Sequence, residues 1–146
     1  MAGGWGSTFA NDWLKLLLQA TAIANVADNA ATSPITNIEY ALHTASPSGG
    51  NQTTSEAAYP SYARAVVART SGGHSVSGAT AALVALTSFP ASTGSPSETE
   101  THFSAGKDHT GTGKIFFWGT LTPNITVNAA GITPQITTAT MLTLGT

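Results

Sequence analysis

Residues 35–51 read Ile-Thr-Asn-Ile-Glu-Tyr-Ala-Leu-His-Thr-Ala-Ser-Pro-Ser-Gly-Gly-Asn. Ile38, Tyr40 and Leu42 share one face of an extended chain, with Asn37, Glu39 and His43 off that face or at its end, so residues 35–44 predict a β-strand. Ser46 to Asn51 brings Pro and Gly for a loop that ends it. The same texture runs toward the C-terminus. Residues 62–70 alternate Tyr62, Arg64, Val66 and Ala68 against Ala63, Ala65, Val67 and Arg69, and Ser71-Gly72-Gly73 closes that strand. Residues 74–88 hold one or two Ala-rich strands, and 91–97 form a Ser/Thr/Gly/Pro loop. Residues 98–105 and 114–121 predict two strands joined by a turn at 107–113. The second carries Ile115-Phe116-Phe117-Trp118 and is too apolar to face water on both sides. Short strands at 125–127, 132–138 and 140–144 finish the chain.

Before Pro34 the pattern is different. A hydroxyl N-cap at Ser7 or Thr8 precedes Phe9, Trp13, Leu16, Leu17 and Ala20 at spacings of three and four, which predicts one helix that fades near Asn25 or Asp28. Phe9, Trp13, Leu16 and Leu17 are its expected buried stripe. Residues 1–7 form a Gly-rich arm, in which Trp5 is an anchor, because a large exposed aromatic in a free arm calls for cover. Trp5, Phe9 and Trp13 are therefore the candidate partner-interface residues. One helix followed by seven or eight short strands predicts a mainly β domain over residues 8–146, an antiparallel β-sandwich of jelly-roll or Greek-key type.

Composition narrows the function. Charged residues make up 8% of the 146 positions against roughly 25% in an average soluble protein, so acid-base chemistry has little to draw on. A net charge of -2 removes the basic surface on which binding to nucleic acid or to anionic membranes depends. The apolar run 13–18 lacks the positively charged leader of a secretory signal, and no run is long enough for a membrane-crossing helix. With no Cys there is neither a disulfide nor a thiolate metal site. Unguarded strand edges imply a partner along at least one of them.

Candidate chemistry is sparse. No G-x-S-x-G elbow occurs, the nearest stretch being Gly73-His74-Ser75-Val76-Ser77. Glu98 and Glu100 share a strand face about 6.5–7 Å apart, within reach of glycosidase spacing, but a catalytic pair normally comes from different strands lining a cleft. His102, Asp108 and His109 have metal-ligand chemistry in a spacing that matches no named site. The expectation is no catalytic residue, no cofactor and no structural metal.

The stretches Ile38 to Pro47, Thr53-Thr54-Ser55-Glu56, Tyr62-Ala63-Arg64, Phe89 to Gly94, Thr101-His102-Phe103-Ser104 and Gly113 to Thr122, in that order, resemble a family of small tailed-bacteriophage virion proteins. Its members read as an apolar N-terminal helix, an L-Y-x-A-L-H-T-A-x-P strand and turn, a T-x-E element, a Y-A-R strand and later F-P-A-A-T-G, T-H-F-G and L-x-x-x-G-x-L-T elements. The resemblance covers about residues 10–135. It departs at the Ala-rich stretch 25–34 and the Trp-bearing leader. It implies a non-enzymatic virion component and carries over no catalytic residue. Joined to the low charge and open edges, it leads to the expectation of a capsid decoration or cement protein, a homo-oligomer bound to the major capsid protein. The alternative is a minor tail or tail-fibre component that attaches to tail proteins or touches the host surface.

Overall fold

The computed structural model describes residues 7–23, 35–139 and 141–145. The protein is mainly antiparallel β with one helix near the N-terminus, the class expected, and its antiparallel sheets suit the sandwich type. Its described residues form two compact units, one from those within 1–37, 68–86 and 137–146 and one from residues 38–67 and 87–136. Trp5 and the Ala-rich stretch at 25–34 lie outside the described residues.

In the first unit, α1 spans Ser7–Gln19 and packs against the hairpin of β3, His74–Ser77, and β4, Thr80–Leu83. The hairpin turns through Gly78 at φ 59, the left-handed geometry that a two-residue loop requires and that Gly adopts without steric cost. A third strand, β9 at Met141–Thr143, pairs antiparallel with β4. The helix ends several residues before the expected Asn25–Asp28. Ala20 turns to φ 55, and the Thr21 N–H closes on the Lys15 carbonyl at 3.2 Å.

Arg69, from a distant part of the sequence, completes that helix end. Its Nε donates to the Leu17 carbonyl at 2.6 Å, its Nη2 to the Leu16 carbonyl, and its Nη1 to the Ile35 carbonyl at 3.2 Å. The last turn of α1 has no basic residue of its own. The buried guanidinium therefore supplies both the missing donors and the positive charge that the negative end of the helix favours.

The buried stripe of α1 is Ala10, Leu14 and Leu18, at spacings of four, with Leu16 and Leu17 only half-buried. Trp13, expected in that stripe, is 40% exposed. A strip of two leucines and one alanine lets the helix sit close to the hairpin, and the bulky indole is turned out to its flank. The side chain of Phe9 is outside the described set.

In the second unit, β2 (Ala65–Ala68), β1 (Asn37–His43), β6 (Glu98–Gly106) and β7 (Ile115–Val127) form a four-stranded sheet in that spatial order. A two-stranded ladder of β5, Thr87–Ser88, and β8, Gln135–Ile136, is extended by bonds from Phe89 N–H to Pro134 O and from Ser92 N–H to Ile132 O. The expected separate strands at 114–121 and 125–127 are one strand, β7, with register shifts against β6 at Glu100/His102 and Ala105/Gly106. Every residue of β1 after Asn37 is buried. Residues on the Tyr40 side stack with aromatics: Tyr40, Phe103 and Phe117 have ring centroids 6.3 to 6.4 Å apart. Residues on the Glu39 side, expected to face away from the core, bury polar groups that find specific partners.

Truncation of Leu14, fully buried, is expected to cost roughly 2–5 kcal/mol, and truncation of Trp13 markedly less, because only the first leaves a cavity. Urea unfolding midpoints of Leu14→Ala and Trp13→Ala measure the difference.

Candidate functional site

The polar side of β1 is where the second unit concentrates its charged side chains. Glu56 arrives from the turn after β1, where the His43–Glu56 bridge and the Ala57 N–H to Leu42 carbonyl bond, at 2.8 Å, hold the chain against the strand end. Tyr59-Pro60-Ser61-Tyr62 then makes a tight turn, with the Tyr62 N–H bonded to the Tyr59 carbonyl at 2.9 Å and Ser61 at φ 71. Pro at the second position and positive φ at the third define a type II turn. It aims Tyr62 and Arg64 back at Glu56.

Arg64 grips Glu56 with two parallel bonds, Nε to Oε1 at 2.7 Å and Nη2 to Oε2 at 2.8 Å, in the fork geometry that only Arg offers a carboxylate. The remaining reach goes to backbone: Nη1 donates to the Asp108 carbonyl at 2.7 Å and Nη2 to the Gly111 carbonyl at 2.8 Å. Tyr62 Oη adds a bond to Glu56 Oε1 at 3.1 Å and accepts the Leu42 N–H at 3.1 Å. The Arg64 side chain is 2% exposed and that of Glu56 17%. Burial works against the charge on Arg64, but the Glu56 bonds and charge outweigh it and hold the guanidinium protonated above its ordinary range. Burial and the neighbouring Glu56 charge push the Tyr62 hydroxyl up, so it stays neutral.

Gln52 is a second buried tie to the same loop. Its Nε2 donates to the Glu39 carbonyl at 3.2 Å, its Oε1 accepts the Asp108 N–H at 3.2 Å, and its own N–H reaches the Gly113 carbonyl at 2.9 Å. A Cβ at Gly113 would stand 2.1 Å from Gln52 Oε1, so this approach requires glycine there. His109 Nδ1 lies 2.9 Å from Glu39 Oε2 on the outer side of the loop. A cleft of about 240 Å³ opens beside the assembly, lined by Glu56, Tyr62, Arg64, His109, Thr110 and Gly111. The donors that Arg64 would offer an anion there are committed to Glu56 and to two carbonyls. The arrangement is built to hold the 108–111 loop, not to wait for a ligand.

The residues singled out for chemistry separate in space. His109 stands beside Glu39, whereas His102 pairs across from His43, four strand positions away or roughly 13 Å. His102 Nδ1 contacts Thr101 Oγ1 at 2.8 Å, and Asp108 meets Lys107 at 3.5 Å. Among the described residues no group of three or more His, Asp or Glu is placed to hold a metal.

One serine–histidine pair does form, between side chains that sequence spacing did not connect. His43 Nδ1 lies 2.9 Å from the Thr54 carbonyl, which only accepts, so this nitrogen carries the proton and Nε2 accepts from Ser104 Oγ at 2.8 Å. Both side chains are fully buried, and burial lowers the His43 pKa below the ordinary imidazole range. A nucleophile needs an approach for substrate, and this pair has none; it satisfies two polar groups inside the sheet.

Glu98 and Glu100 stay neighbours on β6 but sit in different environments. Glu98 accepts the Ala58 N–H at 2.8 Å, whereas Glu100 is fully buried and its carboxyl is pushed up to about 8 by burial first and by Glu98 second. At neutral pH Glu100 holds its proton. Neither the bidentate Glu56–Arg64 pair nor the His43–Ser104 bond was anticipated from sequence. The available signal was an arginine placed on the same strand face as Tyr62 and Val66 in a chain with so few charges.

A family model described as podophage GP4 fiber I protein gp80 matches residues 7–143. No curated protein matches the chain.

Arg64→Lys is expected to cost about 3–5 kcal/mol, because an ammonium cannot span both Glu56 oxygens and two carbonyls and leaves a buried carboxylate poorly paired. Chemical denaturation gives the loss, and limited proteolysis should cut first within 107–114.

For Glu100 the pKa is raised on folding, so its contribution to stability is fully present below about 4.5 and is lost as pH rises toward about 8. Glu100→Gln should therefore be near neutral at about pH 5 and stabilising by roughly 1–3 kcal/mol at about pH 8. Unfolding midpoints at the two pH values read the crossover.

Proposed function

The chain belongs to the podophage GP4 fiber I protein gp80 family and is a phage virion structural protein, and from that membership we propose that it serves in the tail or fibre assembly of the particle. The family match over residues 7–143 is the observation that carries this reading. The fibre designation supports the tail alternative and not the capsid decoration and cement role expected from composition. Low charge and open strand edges suit any permanent assembly, so they favoured neither position, and the capsid reading rested on them.

In this role the protein acts by binding and not by catalysis. The buried His43–Ser104 pair and the loop-holding use of Arg64 support that reading, since both put potentially reactive side chains to structural use. The attachment surface includes the Trp5 arm, Phe9 and Trp13, the last with 40% of its surface exposed beside the packed stripe of α1. The partners are tail proteins, and the protein is a homo-oligomer. An interface of this composition rests on apolar burial and backbone pairing in place of ion pairs.

Gold-labelled antibody on purified virions should decorate the tail or its fibres, and the stained-gel stoichiometry should fall far below that of the major capsid protein. Labelling spread over the capsid at near-capsomer copy number overturns the assignment. Retention on the particle should change little up to about 0.5 M salt, because screening weakens ion pairs and leaves apolar contacts intact.

A further inference from the structure

Glu100 lies fully buried inside its unit, and neither of its carboxyl oxygens has a hydrogen-bond donor among the described residues. A charged carboxylate there would lose its hydration with no bond to replace it. Glu98 stands two positions back on the same face of β6, half-buried, with Oε1 accepting the Ala58 N–H at 2.8 Å. That leaves Glu98 Oε2 as an acceptor, and the two carboxyl groups lie within hydrogen-bond reach of each other. The pairing of β6 with β7 shifts register directly after Glu100, an irregularity of the kind that re-aims a side chain relative to its strand.

We propose that Glu98 and Glu100 share one proton, and that this carboxyl–carboxylate bond is a pH-sensitive latch holding residues 57–59 against β6. In the closed state the Glu100 O–H donates to Glu98, a charge-assisted bond that fixes the Glu98 carboxylate where the Ala58 N–H meets it. When the proton passes to water or hydroxide, two negative charges stand side by side in a low dielectric. Glu98, the half-exposed member, then turns to solvent and Ala58 loses its acceptor. The tie matters beyond its own length, because residues 57–59 lead into the Tyr59–Tyr62 turn that aims Tyr62 and Arg64 at Glu56.

The surroundings leave the pair to itself. Among the described residues no basic side chain forms an ion pair with either carboxyl. Residues 89–97 and β7, which places Ile125 opposite Glu100, carry no titratable side chain. Tyr59, from the segment being held, donates its hydroxyl to the Pro90 carbonyl at 3.0 Å, and burial keeps it neutral. His43 at the end of β1 is engaged with Thr54 and Ser104, and His102 with Thr101. Burial, and Glu98 after it, push the Glu100 carboxyl up to about 8. The latch is therefore closed through neutral pH and is lost as pH rises through about 8. It is read from the buried pair alone and stands independently of the fibre assignment.

Carboxyl-carbon NMR titration of the full chain, with amide hydrogen exchange, tests it. The two carboxyls should titrate as a coupled pair in two well-separated steps. Glu98→Gln keeps an acceptor for the Ala58 N–H but removes the charge, so the Glu100 step should fall by about one pH unit or more. Corrected for intrinsic exchange, protection of the wild-type Ala58 amide should drop about tenfold or more between about pH 7 and about pH 9. In Glu100→Gln, whose amide donates to Glu98 at every pH, it should stay level. Amides of β1 should hold their protection throughout, which marks the release as local. Both variants are isosteric, and far-UV circular dichroism checks that they fold. A Glu100 step unmoved by Glu98→Gln overturns the proposal, since burial alone would then hold the proton. So does wild-type Ala58 protection that ignores pH, an equal loss in Glu100→Gln, or loss of β1 protection together with Ala58.

Discussion

Arg64 enters the interior of its unit with four N–H bonds satisfied, two by Glu56 and two by the carbonyls of Asp108 and Gly111. A buried guanidinium is tolerable only under such extensive pairing, because desolvation opposes its charge and each lost partner would leave that charge less compensated in a low dielectric. The requirement propagates. Glu56 must stand at the end of β1, the type II turn at Tyr59–Tyr62 must return the chain to it, and the 108–111 loop must present two carbonyls. Gln52 reinforces the last condition from the other side, packed in space that Gly106 and Gly113 leave open. The junction between β6 and β7 is thereby tied to β1.

The way charges are used has a surface consequence. Of the five basic residues, both arginines are buried, Arg64 against Glu56 and Arg69 against the end of α1. Glu39, with its bond to His109, and Glu100 are buried as well. Internal structural work thus consumes much of an already small set of charges, and the surface is poorer in charge than the composition alone conveys. An uncharged 13-residue edge strand is one outcome of that allocation. Solubility as a free monomer benefits little from such a surface, whereas a protein held in a virion is shielded by its neighbours.

That logic also marks the limit of composition as a guide to place. Low charge, Thr-rich strands and exposed aromatics suit a subunit of a permanent assembly, and capsid and tail are both such assemblies. Separating them takes information about the partner, which a fold stabilised by its own hydrogen bonds and apolar stacks does not contain. The fibre-protein family match bears on that question directly, and within the fold His43, Ser104 and Arg64 are committed to internal contacts.

Local pattern determined the class of this protein. Alternation at 35–44 and 62–70, Gly and Pro at the turns, and one stretch of helical period near the N-terminus were enough for a mainly antiparallel β chain led by a helix, since these signals act over a few residues. Contacts between distant residues decided the rest. The helix ends at Gln19 because Arg69 and Ala20 close it there, which its own period does not reveal. The buried stripe falls on Ala10, Leu14 and Leu18 and not on Trp13, because the facing hairpin accepts small and aliphatic groups at close approach. β1 has an alternating pattern yet is buried on both sides, since Ser104, Gln52 and His109 provide partners for its polar residues and their backbone. Those partners lie 13 to 70 positions away in sequence. Pairing over such separations is set by which groups the folded chain brings within hydrogen-bond distance of one another, and only tertiary structure specifies that.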